Sequence, residues 1–161
     1  MRDLGRALGY AVWVASKDRR RPYGGGPLCE GCLDALPPAL EAADGADAVR
    51  LIDVPWLEPG GERRVVAAFE VEHTTSIRSC IVRMLDLALG GQAGALEGLF
   101  LVAPDSREGE VRAHLARPAF RRVADLRPAW LPYGELAARG EVIARFGSGM
   151  KAVRAVGRSL T

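Results

Sequence analysis

Three acidic residues in two apolar segments are the side chains of this sequence best placed to do chemistry. Asp53 stands inside the apolar segment 51–54, and Glu70 and Glu72 follow the apolar run 65–69. Because side chains two positions apart on a strand point to the same face, we expect Glu70 and Glu72 to project together. Carboxylates in such surroundings are costly to remove from water unless a partner compensates their charge.

Two interpretations of these acids are open at the level of sequence. A divalent metal ion would compensate their charge, because Mg²⁺ prefers a few carboxylate oxygens together with water. In the other interpretation the strands lie at the end of a sheet, where the acids are solvated or paired with arginines. The first interpretation predicts a catalytic or binding site, and the second predicts only a charged edge.

Strands and helices alternate from residue 49 onward, and these elements must position the acids. Strands predicted over 49–56 and 65–72 pair as a hairpin through a turn at Pro59–Glu62. Further elements are strands over 11–15, 99–103 and 129–131, a loop over 16–27, a loop with one short helix over 28–47, and helices over 2–9, 76–89, 106–116, about 133–145 and after 149. The pattern predicts an α/β fold, a mixed central sheet flanked by helices. A chain of 161 residues suits one domain over 1–161.

Arginine dominates the basic side chains. Of the 22 basic residues only Lys17 and Lys151 are lysines, and the charge is uneven: +4 over residues 1–22, −7 over 23–62 and +5 over 105–161. The planar fork of arginine suits phosphate, which indicates a nucleic-acid partner. A GC-rich genome, which also enriches alanine and glycine, is the alternative explanation.

Several classes of protein are disfavoured by composition. No apolar run approaches the roughly 20 residues of a membrane-spanning helix. The first residues lack an apolar stretch followed by a cleavage site for export, and three cysteines make no disulfide framework. We therefore expect a cytoplasmic protein that does not associate with a membrane.

Two segments around the acids carry a resemblance to known proteins. They are Leu51-Ile52-Asp53-Val54-Pro55-Trp56 and Ala68-Phe69-Glu70-Val71-Glu72-His73-Thr74-Thr75-Ser76-Ile77. They resemble the restriction-endonuclease-like (PD-(D/E)xK) superfamily, and within it an uncharacterised prokaryotic group with the same Glu-Val-Glu-x-Thr-Thr-Ser-Ile segment. The group continues in a helix that is matched here by Ser79, Arg83, Met84, Asp86 and Leu87. The resemblance spans roughly residues 5–125.

The resemblance implies a restriction-endonuclease-like fold whose hairpin holds Mg²⁺ or Mn²⁺. Asp53, Glu70 and the backbone carbonyl of Val71 would be the metal ligands, and Asp53, Glu70 and Glu72 the catalytic residues. The metal would activate water to hydrolyse a phosphodiester bond, in DNA, in a defence or repair role. Glu72 replaces the usual lysine of the superfamily and would act as a ligand or general base. The acid that many members carry on the first helix has one candidate here, Asp3.

Four basic residues are candidates for contact with nucleic acid. Arg78 and Arg83 lie on the helix after the second acidic segment, and Lys17 and Arg19 lie in a charged loop. Plain surface charge is the alternative for all four, and an ion pair with Asp86 at i, i+3 is the alternative for Arg83.

Two further expectations concern function and assembly. The competing function is a non-catalytic DNA-binding or assembly module that retains the nuclease fold. A homodimer is expected because cutting both strands of a duplex takes two sites, and because Leu4, Leu8 and Trp13 would leave apolar surface beside a short first helix. The sequence does not identify any partner protein beyond this second copy.

Overall fold

The computed structural model describes residues 1–60, 64–73, 76–90, 96–120, 126 and 128–160, with the backbone alone at 119. Four residues used in the sequence analysis lie outside these ranges: Thr74 and Thr75 of the resemblance, and Gly61 and Glu62 of the predicted turn.

The described chain alternates between strands and helices over most of its length. The strands are β1 (Ala11–Val12), β2 (Pro22–Tyr23), β3 (Gly26–Pro27), β4 (Val54–Leu57), β5 (Val65–Val71), β6 (Gly98–Ala103), β7 (Ala129–Pro132) and β8 (Arg158–Ser159). The helices are α1 (Arg2–Ala7), α2 (Pro38–Glu41), α3 (Ala46–Leu51), α4 (Ile77–Leu89), α5 (Glu108–Leu115), α6 (Tyr133–Phe146) and α7 (Gly149–Arg154). Short 3₁₀ turns lie at Asp105–Arg107 and Pro118–Phe120.

Six of the strands form one mixed sheet in the order β1-β4-β5-β6-β7-β8. The pairs β5–β6 and β6–β7 are parallel, whereas β4 on one side and β8 on the other pair antiparallel to their neighbours. The long connections through α4 and α5 are what parallel neighbours require. The predicted α/β class, a mixed central sheet flanked by helices, is confirmed.

Apolar side chains leave both faces of this sheet and form two cores. One face packs on α4 and α5, through residues that include Ala68, Leu101, Ile81, Met84 and Val111. The other face packs on α1, α6 and α7, through residues that include Phe69, Phe100, Leu4, Ile143 and Val153. Because side chains alternate along a strand, Glu70 and Glu72 point to the same face as Ala68, toward α4.

The prediction of a strand over 49–56 was wrong in its first half. Residues 46–51 form α3, which begins after Gly45 at φ 89°, and the ladder of β4 starts only at Val54. Val49 is fully buried on the side of α3 that faces α4. A short apolar run fits a buried helix turn as well as a strand, so periodicity did not separate them.

The predicted strand over 11–15 has a ladder at Ala11–Val12 only, but the chain continues along β4 beyond it. The amide of Trp13 donates to the carbonyl of Pro55 at 3.1 Å, and that of Ala15 donates to the carbonyl of Asp53 at 3.0 Å. The segment therefore carries the following loop to the position of Asp53.

Three strands were not predicted, β2, β3 and β8, and each has only two residues. The loop over 16–27 contains the hairpin β2–β3, whose turn uses Gly24 and Gly25 at positive φ. Arg158–Ser159 adds β8 at the sheet edge. Elements this short have no sequence period to detect.

The apolar surface invoked for a homodimer lies inside the protein's own core. Leu4 and Trp13 are 8% and 6% exposed, and Leu8 packs partly buried against Leu4 and its neighbours. This reason for a dimer was wrong, because α1 packs on the sheet and α6 instead of leaving the face open. The dimer itself stays a prediction, as does the single domain over 1–161.

The helices are short by the standard of membrane spans. α6 has 14 residues and α4 has 13, where a span needs roughly 20. In the part of the chain that the structure describes, no helix combines the length and the apolar character needed to cross a bilayer.

Candidate active site

The acidic residues meet at the carboxyl end of β5. Asp53 immediately precedes β4, which runs antiparallel to β5 with Val54 opposite Phe69. The amide of Val71 donates a hydrogen bond of 2.9 Å to Oδ2 of Asp53. The hairpin register therefore places the Asp53 carboxylate beside the backbone between Glu70 and Glu72.

Asp53 is 7% exposed and pairs with a lysine from a distant loop. Nζ of Lys17 lies 2.8 Å from Oδ1 of Asp53, while the Lys17 side chain itself stays 58% exposed. Partial burial lowers the pKa of Lys17, but the hydrogen bond and the charge of Asp53 raise it more, so the net shift is upward. The ammonium group is thus held in its charged form.

Glu70 is completely buried, and an arginine of α4 binds both of its oxygens. Nε of Arg83 donates to Oε1 at 2.9 Å, and Nη2 donates to Oε2. Burial raises the pKa of Glu70 to about 7, although the Arg83 guanidinium lowers it, and the Asp53 charge adds to the rise. The same pairing raises the pKa of Arg83.

Glu72 is 2% exposed and lies two residues after Glu70, directly past the end of β5. Its Oε2 accepts from Sγ of Cys80 at 3.3 Å, and Oε1 lies 3.6 Å from Nη1 of Arg107. Burial and the charges of Glu70 and Glu72 raise the pKa of the Cys80 thiol, which therefore keeps its proton. The hydroxyl of Tyr133 donates to the Glu72 carbonyl at 3.5 Å.

Each of the three acids thus has a cationic partner from a different segment. Lys17 follows β1, Arg83 lies on α4, and Arg107 lies in the turn after β6. The second sequence interpretation expected the acids to be solvated or paired with arginines. The structure shows ion pairs, and the acids are buried instead of solvated. Buried pairs of this kind are weak contributors to stability, because desolvation offsets most of the attraction.

The donor set fits a hard divalent cation in its chemistry. Burial is the main cause of the raised pKa of Glu70, and the nearby charge of Asp53 adds to it. A bound cation would offset both effects, since it compensates the charge of the two carboxylates. Within the described residues no three His, Cys, Asp or Glu side chains already converge on one point. A cation bound here must therefore take oxygens that Lys17 and Arg83 now hold.

An open cavity of about 420 Å³ lies over these groups. Its lining includes Lys17, Arg21, Tyr23, Asp53, His73 and Arg83. A larger cavity of about 490 Å³ lies at the opposite end of the sheet, beside the amino ends of β6 and β7, and includes Glu97 and Arg154. We assign the site to the first cavity because the buried carboxylates of Asp53 and Glu72 line it, together with Arg83, which binds Glu70.

The remaining candidate residues are spread over the surface. Arg78 is exposed on α4. Arg19 lies over the ring of Trp13 at 4.8 Å and donates to the Leu33 carbonyl at 2.9 Å, so it holds the loop in place. Asp3 pairs with Arg2 at 2.7 Å.

Sequence reasoning missed Arg107 and Cys80 as neighbours of Glu72. Arg107 lies four residues after the end of β6 at Ala103, and β6 runs parallel to β5 with Val102 opposite Val71. The carboxyl ends of parallel neighbours meet at one edge, so a basic residue just after that strand was a usable signal.

The comparisons with known proteins agree with the restriction-enzyme part of the resemblance. A family model described as "Type II restriction enzyme NmeDI C-terminal domain" matches residues 1–147. The type II restriction enzyme NmeDI of Neisseria meningitidis serogroup C is 30% identical over 137 residues, which cover 81% of this chain and 37% of that protein. The chain thus spans little more than a third of the length of this curated relative. No solved structure matches the chain. The chain belongs to the restriction-enzyme family defined by the C-terminal domain of NmeDI.

Proposed function

We propose that this chain is a metal-dependent nuclease domain of the PD-(D/E)xK superfamily that hydrolyses phosphodiester bonds in DNA, in a defence role. The carrying observation is the pair of buried carboxylates of Asp53 and Glu70. The Val71 amide holds Asp53 at an open cavity lined by basic side chains, and Arg83, one of these side chains, binds Glu70. The relative named as a type II restriction enzyme supports DNA as the substrate.

The site residues divide by role into metal ligands, a proton acceptor and basic residues for the DNA backbone. Asp53, Glu70 and the Val71 carbonyl would hold Mg²⁺ or Mn²⁺, which when bound supplies charge stabilisation and an activated water. Glu72 would accept a proton or orient water, since it stands where the superfamily's lysine is usual. Lys17, Arg78 and Arg83 would contact phosphates, whereas Arg19 would act through the loop.

The test is nicking of supercoiled plasmid by the 161-residue chain with Mg²⁺ or Mn²⁺. Asp53→Asn and Glu70→Gln should each lower the rate about a thousand-fold or more, equivalent to about 4 kcal/mol of transition-state stabilisation. Asp86→Asn is the matched control, because Asp86 is exposed on α4. Wild-type rates in Asp53→Asn, with the melting temperature unchanged, would contradict the proposed site.

One observation favours the alternative of a non-catalytic DNA-binding or assembly module. Arg83 engages both oxygens of Glu70, as in a structural ion pair, and leaves neither free. If the wild-type chain binds duplex DNA in a salt-dependent way and cleaves none with either metal, this alternative replaces the nuclease.

A further inference from the structure

Lys17 and Arg83 hold their carboxylates in different ways. Arg83 is 22% exposed and forked across both oxygens of Glu70. Lys17 touches one oxygen of Asp53, and 58% of its side chain is exposed. A lysine makes a point contact on a flexible stem, so Lys17 can leave its partner at lower cost.

Hydrogen bonds hold the backbone on both sides of Lys17, whereas the Lys17 side chain is largely exposed. The amide of Ala15 donates to the Asp53 carbonyl, and the amide of Asp18 donates to the Ala15 carbonyl at 2.9 Å. The Lys17 side chain can therefore swing off Asp53 and remain inside the cavity, which Arg21 and Arg83 also line.

A divalent cation and the ammonium group of Lys17 cannot share this position. Oδ1 of Asp53 is the more available oxygen for either cation, because Oδ2 already accepts from the Val71 amide, and two cations a few ångströms apart on one carboxylate repel each other. Once displaced, the ammonium needs another anion, and the anion that the proposed function brings to this cavity is a DNA phosphate.

We propose that Lys17 is the counter-ion that a divalent cation displaces from Asp53, and that the displaced ammonium then binds a phosphate of the DNA in the same cavity. This inference rests on the proposed function. Lys17 thereby lowers the affinity of the site for metal when DNA is absent and makes binding of metal and of DNA mutually supportive.

The consequence is a thermodynamic coupling that can be measured without cleavage. If DNA accepts the displaced ammonium, DNA must raise the affinity for the metal, and the metal must raise the affinity for DNA by the same factor. Such couplings are typically about 5- to 150-fold. Without Lys17 the metal has no competitor, so its affinity alone rises and the coupling shrinks.

The first experiment is calorimetric titration of the chain with Ca²⁺ in the absence of DNA. Lys17→Gln should bind Ca²⁺ about ten-fold more tightly than wild type. Arg21→Gln is the matched control, because Arg21 lines the same cavity and pairs with Asp18, not Asp53. An equal gain in affinity in both variants, or no gain in Lys17→Gln, would contradict the competition between Lys17 and the cation for Asp53. Lys17 would then contribute only to the general positive charge of the cavity.

The second experiment repeats the Ca²⁺ titration with a saturating short duplex of mixed sequence. Wild type should gain Ca²⁺ affinity by roughly ten-fold on adding the duplex, and Lys17→Gln should gain clearly less. An identical gain in Ca²⁺ affinity in both proteins would contradict the proposal that the ammonium group of Lys17 moves to a DNA phosphate. Lys17→Met serves if the Gln variant does not fold, because it keeps most of the unbranched side chain without its charge.

Asp53→Asn separates this inference from the proposed function. If Asp53→Asn abolishes Ca²⁺ binding while Lys17→Gln changes nothing, the metal site stands and only the role of Lys17 falls. If Asp53→Asn binds Ca²⁺ like wild type, the metal site itself is wrong and both proposals fall.

Discussion

The two faces of β5 carry side chains of opposite character over the same few residues. On one face the ring of Phe69 lies between those of Trp56 and Phe100, with centroids 4.3 and 4.9 Å apart. On the other face Glu70, the residue after Phe69, and Glu72 are buried against α4. The side chains of Phe69, Glu70 and Glu72 are all shielded from water, but only the burial of the ring is favourable in itself.

The difference separates stability from function along a single strand. Burial of aromatic rings is favourable in itself and needs no partner of a particular charge. Burial of carboxylates is costly and is tolerated here because Lys17, Arg83 and Arg107 compensate their charge. We therefore expect substitutions on the aromatic face to act on folding and those on the acidic face to act on binding and cleavage.

The largest expected effect is on the aromatic face. Phe69→Ala should lower the free energy of unfolding by about 3–5 kcal/mol, because it removes a fully buried ring and leaves a cavity. Urea unfolding followed by circular dichroism measures this loss. Val71→Ala, on the same face but 41% exposed, should cost clearly less. Equal losses in the two variants would mean that burial of the Phe69 ring is not what stabilises this face.

On the acidic face, Glu72→Gln should separate hydrolysis from metal binding. The variant retains Asp53 and Glu70, so Ca²⁺ binding persists, but loss of the proton acceptor should slow cleavage about 100-fold, or about 3 kcal/mol. Single-turnover cleavage and Ca²⁺ calorimetry give the two quantities. Glu110→Gln is the control, because Glu110 also binds Arg107 but is exposed. A Glu72→Gln variant that cleaves like wild type would make Glu72 a bystander.

A smaller effect follows from the raised pKa of Glu70, near 7 in the folded chain against 4.5 for a free side chain. Between these values the folded chain binds more protons than the unfolded chain, so its free energy of unfolding falls as pH rises from about 4.5 to 7. The contribution of one group is at most about 1.4 kcal/mol per pH unit. Urea unfolding at several pH values, without metal, should show this slope reduced in Glu70→Gln. An unchanged slope would mean that Arg83 fully offsets the cost of burying Glu70.

The smallest expected effect concerns the surface of α4. Arg78→Ala should weaken DNA binding regardless of sequence and flatten the dependence of log K on log salt by about 0.9, the value for one lost phosphate contact. Arg78 tests this contact more cleanly than Arg83, whose removal also leaves Glu70 without its partner. Arg139→Ala, on α6 and paired with Glu135, is the control. A salt slope equal to that of wild type would assign Arg78 to plain surface charge.

The secondary structure around the site was largely predictable because it depends on local pattern. The apolar run 65–69 predicts β5, and the spacing of Ile77, Ile81 and Met84 predicts α4 with these residues buried. The prediction failed at α3, where Val49 satisfies either period over too few residues to decide. It also failed at β8, whose two residues are ordered only by pairing with β7.

By itself, the sequence determined which residues share a face and which acids are surrounded by apolar neighbours. These are properties of a few adjacent positions, so Asp53, Glu70 and Glu72 were identifiable without a fold. The tertiary structure decided which cation each acid meets, because Lys17, Arg83 and Arg107 arrive from the loop after β1, from α4 and from the turn after β6. Their meeting depends on strand order and register, which arise from the packing of segments far apart in the chain, and no local period encodes that arrangement.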